Sequence, residues 1–179
     1  ELGEHGITSG NNNGNTSYLI DLGGGELSTL ASWSTSRAMT LSGANGPVVF
    51  SPAQAGHVVT LSGAMTGNGG LTKDGPATLH LVGAKTYLGG TTVEQGLLRV
   101  ANSISHASAP VEIRANGVLR LESATISASL THIRPGGLLE GCGTIHGPIL
   151  NDGTLAVDCG AGLTVNGTVT NNGSMRFVG

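Results

Sequence analysis

Carboxylates, histidines and thiols bound the chemistry open to this chain. Acid/base work on a glycosidic bond needs a carboxylate pair, and calcium needs several hard oxygens at one place. The 11 acidic residues are scattered, and Asp152 and Asp158 stand six apart without forming such a set. His5, His57, His80, His106, His132 and His146 show no zinc-ligand spacing, and no cysteine stands beside them in a ligand pattern. They read as solvent-exposed side chains, with His80 and His132 at outward strand positions. None of the glycines precedes a helix carrying Lys-Ser or Lys-Thr, so no phosphate loop is expected. The sequence therefore predicts no catalytic, cofactor-binding or metal residue. A polysaccharide lyase or hydrolase remains the catalytic alternative.

The elements that carry these side chains must be short strands and tight turns. Glycine contributes 31 of 179 residues, charged residues 11% and aromatics 3%, with a mean hydropathy of +0.13. Low charge at that hydropathy opposes disorder, and the glycines keep no three-residue period, which excludes collagen. A core poor in aromatics must be stacked from small aliphatics. The net charge of −3 leaves no electrostatic footprint for nucleic acid. No apolar run approaches the ~20 residues of a membrane helix.

One strand pattern recurs through the chain. Taking the residue before each copy as an anchor gives Arg37, His57, Ala77, Gly96, Gly117, Gly137, Gly153 and Gly173, at steps of 20, 20, 19, 21, 20, 16 and 20. Two places after the anchor stand Met39, Val59, Leu79, Leu98, Leu119, Leu139, Leu155 and Met175. Four places after stand Leu41, Leu61, Leu81, Val100, Leu121, Gly141, Val157 and Phe177. Between them stand Thr40, Thr60, His80, Arg99, Arg120, Glu140, Ala156 and Arg176. Alternate strand residues face opposite sides, so the first two columns are interior and the third is outward. Only Gly141 breaks the apolar rule. A second strand runs through Ile113, Ile133, Ile149 and Val169, and a third through Ile126, Ile145 and Val165. Three strands per ~20 residues, each paired in parallel with its copy one coil on, make a right-handed parallel β-helix of about eight coils. At ~4.8 Å per coil the rod is about 35–40 Å long. The β-helix is expected over 37–179, with 1–36 an N-terminal cap or irregular lead-in. Its end at Gly179 carries no cap, which suits a section of a longer chain or a coil edge that pairs with another copy.

Cys142 and Cys159 fall five and six places after successive anchors, at one corner of adjacent coils. Stacked coils bring Cα atoms to about 5 Å, inside the disulfide window, so the two are expected to bridge. The alternative is two free thiols on opposite faces, since the offsets differ by one. A bridge favours a home outside the cytoplasm.

A family likeness rests on Gly69-Gly70-Leu71-Thr72-Lys73-Asp74-Gly75, Thr78 to Tyr87, Gly89-Gly90-Thr91-Thr92-Val93 and Gly96-Leu97-Leu98-Arg99-Val100. These residues resemble the autotransporter-associated β-strand repeat of bacterial autotransporter passengers and giant surface proteins. Pro76-Ala77 departs from the glycine-containing turn usual there. The resemblance implies an extracellular or cell-surface β-helix that acts as an adhesin, a self-association factor or a spacer. The expected function is a structural or adhesive stalk serving adhesion or cell–cell association. A fibre subunit stacking end to end is the alternative. Expected partners are other copies of the chain or surface ligands, glycans or proteins, and not nucleic acid.

Overall fold

The computed structural model describes residues 19–178. Among the described residues every regular element is a strand, and every strand pair is parallel. The strands stack into a β-solenoid of eight coils with three faces, about 35 Å long at the usual inter-strand spacing.

Face one is built by Ile20–Leu22, Met39–Leu41, Met65–Thr66, Ala84–Lys85 and Ser103–His106, then by the second halves of Gly117–Ala128 and Leu138–His146, and finally Leu163–Asn166. Face two runs from Gly25–Thr29 through Val48–Pro52, Leu71–Lys73, Thr91–Val93, Val111–Ile113, Thr131–Ile133 and Ile149–Asn151 to Val169–Asn171. Face three contains Trp33–Thr35, Val58–Leu61, Thr78–Leu81, Gly96–Val100, the first halves of the two long strands, Thr154–Val157 and Ser174–Phe177. The two long strands cross from face three to face one without a separate corner. Where the first meets the second, Ser123 is an extra residue at φ 56°, a bulge that lets the strand bend.

The interior follows from register. On face three Trp33, Val59, Leu79, Leu98, Leu119, Leu139, Leu155 and Met175 form one column. All but Met175 are buried. Each coil buries its aliphatics only against its neighbours, so the stack is cooperative along its axis.

Register also corrects two columns of the sequence reading. Met39–Leu41 belongs to face one, beneath Met65, and the partner of Val59 one coil earlier is Trp33. The 26 residues from Trp33 to Val59 exceed the ~20-residue repeat because the corners at 42–47 and 53–57 are long. Ile149 aligns with Thr131 and Val169 with Ile149, so Ile133 meets Asn151 rather than Ile149. The short step of 16 slips this strand by two residues, which preserves the inward side while changing the column. Strands of the stack start at Ile20, within the segment read as a cap or lead-in, while residues 1–18 lie outside the described residues.

Gly141 interrupts its column for a backbone reason. Its φ is +104°, and a Cβ there would press into the carbonyl of Leu121 on the preceding coil. Glycine alone accepts both conditions.

Candidate functional site

The three faces differ in what they offer outside. On face one, strands alternate inward apolar residues with outward small ones. One outward column reads Thr40, Thr66, Thr86, Ser105, Ser127, His146 and Asn166. The other reads Ala38, Ala64, Ala84, Ser103, Thr125, Thr144 and Thr164. Across these seven coils face one carries no Asp, Glu, Lys or Arg in either column, and on the first coil the register continues to Asp21 beside Thr40. Among the described residues none of the Ser and Thr hydroxyls in these columns hydrogen-bonds to another protein group; only His146 and Asn166 meet, at 3.2 Å.

Faces two and three hold the charges in pairs. On face three Arg99 meets Glu122 through Nε at 2.8 Å, and His80 lies 3.4 Å from the same carboxylate. Arg120 bridges Glu140 at 3.3 Å and Asp158 at 2.8 Å. On face two Arg114 holds Glu94 at 2.8 Å and Glu112 at 3.2 Å, and Arg134 holds Glu112 at 2.6 Å. Burial works to raise Glu112, but hydrogen bonds from Arg134 and Arg114 outweigh it and hold the carboxyl below its usual range. Asp152 accepts from Asn172 at 2.8 Å and from His132 at 2.7 Å, which lowers its pKa in that order of effect. The outward column read from sequence is thus a ladder of ion pairs from His80 to Glu140, though Ala156 within it is buried. Among the described residues no group of three or more His, Cys, Asp or Glu is placed to hold a metal ion.

Two lysines enter the interior. Lys73 and Lys85 are both 0% exposed. Lys73 Nζ donates to the carbonyls of Asp74 at 2.7 Å, Gly75 at 2.7 Å and Gln95 at 3.0 Å. Lys85 Nζ donates to Leu61 at 3.1 Å, Gly63 at 2.7 Å and Val82 at 2.7 Å. Each ammonium has three protons and meets three carbonyls at a corner. Burial lowers both pKa values to about 8, so both remain charged at neutral pH.

A second buried polar group links consecutive coils. The His106 Nδ1 lies 3.1 Å from the Ala109 carbonyl, which can only accept, so Nδ1 bears the proton. Nε2 must then accept from Thr91 Oγ1 at 3.0 Å, and Thr91 accepts from the Tyr87 hydroxyl at 2.5 Å. Tyr87 and His106 are 0% and 1% exposed. Burial lowers the pKa of His106 and raises that of Tyr87. His106 and His132 therefore depart from the expectation of exposed histidines. The signal was available in strand parity: His106 is two residues from inward Ile104, and Lys73 is two from inward Leu71.

Cys142 lies within the strand Leu138–His146, and Cys159 in the turn at 158–162 one coil later. The structure pairs them as a disulfide, with Cα atoms 6.1 Å apart. The turn takes up the one-residue difference in their offsets.

A three-faced solenoid whose interior is closed by stacked aliphatics and whose surface carries ladders of recurring side chains defines a rod-like parallel β-helix. Residues 71–100 match the passenger-associated-transport-repeat, the stretch that includes Lys73, Lys85, Tyr87 and Thr91. The chain is 35% identical over 155 residues to the adhesin BmaC autotransporter of Brucella suis biovar 1 (strain 1330), covering 81% of this chain and 4% of that protein. It is 38% identical over 91 residues to an extracellular serine protease of Serratia marcescens, covering 49% of this chain and 8% of that protein. The chain thus spans a small fraction of the relatives it matches. No solved structure matches it. The chain thus carries a passenger-type repeat on a β-helix and is similar to short stretches of proteins that are secreted or exposed at the cell surface.

Proposed function

We propose that the chain is a non-catalytic adhesive stalk, a rigid section of a surface passenger that serves adhesion or cell–cell association. The observation that carries this reading is the continuous parallel stack of eight coils on all three faces. Such a rod projects whatever it displays, and equivalent positions recur at each coil. Weak contacts then add by multivalency instead of converging on one pocket. The non-catalytic part is supported by the carboxylates of faces two and three. Glu94, Glu112, Glu122, Glu140, Asp152 and Asp158 are each tied to an arginine or a histidine. The adhesin named among the relatives is in keeping with this.

Display of the chain on otherwise non-adherent bacterial cells tests the reading. The cells are expected to aggregate or to attach to surfaces faster than cells displaying an unrelated domain. Equal settling and attachment of the two populations overturns it.

End-to-end stacking into a fibre is the second reading. It is supported by the parallel backbone pairing of coil on coil along the axis, a geometry that a second copy can continue. Electron micrographs of short rods whose length does not change with concentration eliminate the fibre.

A further inference from the structure

We infer that face one is a docking surface for a linear, uncharged polysaccharide lying along the stack axis. This deepens the adhesive reading, on which it rests, by naming the face and the ligand class.

The first ground is charge. From Thr40 to Asn166 and from Ala38 to Thr164 the two outward columns contain no acidic or basic residue other than His146, and the one carboxylate of the face, Asp21, stands at its end on the first coil. The other two faces carry the ion pairs that run through Arg99, Arg120, Arg114 and Arg134. A polyanion or a basic peptide laid on face one would lose hydration and gain no counter-charge. A neutral partner meets no such cost.

The second ground is unused hydrogen-bonding capacity. Thr66, Thr86 and Thr164 are exposed, and Ser105, Ser127, Thr125 and Thr144 are half-buried. Their hydroxyls have no internal partner among the described residues, and a hydroxyl both donates and accepts. They recur at about 4.8 Å along the axis, in two columns roughly 6.6 Å apart. A repeating donor–acceptor array is used fully only by a repeating polymer of hydroxyl groups, whose successive units engage successive coils.

The third ground separates a glycan from a protein. Protein interfaces centre on buried aromatic or arginine anchors. Face one presents only Ala, Ser, Thr, one His and one Asn in these columns, so it is shallow and has no anchor for a pocket and no pocket for an anchor. The same deficit opposes a second copy packed face to face. Short side chains carry little rotamer entropy to lose, so many weak contacts can be made at small cost each.

The experiment measures retention of the purified chain on immobilised dextran, mannan and xylan, with heparin as the anionic control, at low and at high salt. Three proteins are compared: the wild type, T66E/T86E/T164E on face one, and T72E/T92E on face two. Unchanged far-UV spectra and melting temperatures establish that the variants fold. The expected result is retention on at least one uncharged polysaccharide, insensitive to salt, weakened ~10-fold or more by the face-one substitutions and retained by the face-two variant. Retention on heparin alone, equal retention by all three proteins, or no polysaccharide retention with dimers abolished by the face-one substitutions each overturns the inference. If displayed cells adhere while no uncharged polysaccharide is retained, the ligand class is wrong and the adhesive reading stands. If displayed cells do not adhere, the adhesive reading fails on its own.

Discussion

Lys73 and Val93 are register partners on adjacent coils, both wholly buried, one ending in an ammonium and the other in methyl groups. Phe50 precedes them in the same column and Ile113 follows. The stack therefore admits a charge into an aliphatic column, provided that the charge reaches a corner. There the chain turns away from the ladder and leaves carbonyls without strand partners. The lysine stem fills the core as an aliphatic side chain would, and its head satisfies three of those carbonyls. Lys85 lies likewise on face one, between Met65 and Ile104, its head on the carbonyls of Gly63 and Val82 and on that of Leu61, which also accepts from the Val82 N–H.

Replacing either lysine by methionine keeps the stem and removes the head. The carbonyls of the corner then lose a donor in a place water reaches poorly. A loss of about 1–3 kcal/mol is expected for each variant, although a hydrophobe has replaced a buried charge. Denaturant melts of K73M and K85M check this. Stability equal to or above wild type would show that the ammoniums are tolerated rather than required.

His106 makes stability depend on pH. Burial holds its folded pKa below the ordinary 6.5. As pH falls through 6.5, the unfolded chain takes up a proton that the folded chain refuses, so acidification favours unfolding. Protonation would also place a donor at Nε2 against the Thr91 hydroxyl that now donates there. His80 is lowered as well, first by burial and then by Arg99, and acts in the same direction. The melting temperature of the wild type is expected to fall more steeply from about pH 7 to about pH 5 than that of H106Q, a range above the carboxylate titrations. Parallel slopes for the two proteins would remove His106 from the account.

The stack was legible in the sequence because its interior columns repeat with a period-two alternation inside each strand. From Val59 to Met175 the face-three column was readable residue by residue. It failed at Met39 because a local inward–outward pattern says that a strand is present but not which face it occupies. The corner lengths that decide this carry no pattern of their own. Lys73, Lys85 and His106 were hidden for a different reason. Residue type suggested solvent while parity indicated the interior, and parity was the better guide. The uncharged face one emerged only when its strands were aligned across coils, since its Ser and Thr residues look like ordinary loop composition when read along the chain.

Gly141 separates hydrophobic logic from backbone logic. Its column is otherwise aliphatic from Leu61 to Leu121, so leucine looks like an improvement. The backbone at φ +104° and the Leu121 carbonyl forbid it. Gly141→Leu is expected to destabilise the chain by about 2–4 kcal/mol, through left-handed strain and displacement of the neighbouring coil. A rise in melting temperature would show that the coil can open to accept the side chain.

The disulfide acts where the stack changes its construction. In the coil carrying Cys142, one strand runs from face three to face one without a loop, and in the next coil Val157 and Leu163 are separated by the turn that holds Cys159. That turn begins at Asp158, whose carboxylate is bound by Arg120 from two coils earlier, so its first two residues are held by an ion pair and by the bridge. With Cys142 and Cys159 separated by 17 positions, closure removes about 3 kcal/mol of unfolded-state freedom. Mass measurement after alkylation without reductant should find no modified cysteine, and with reductant two. Reduction should lower stability by about that amount, and C142S/C159S should do the same without reductant. Loss of Arg120 alone should cost at most about 1 kcal/mol, because its pairs are exposed. Alkylation of both thiols before reduction would leave the turn held by Arg120 alone, and R120A would then become the more damaging substitution.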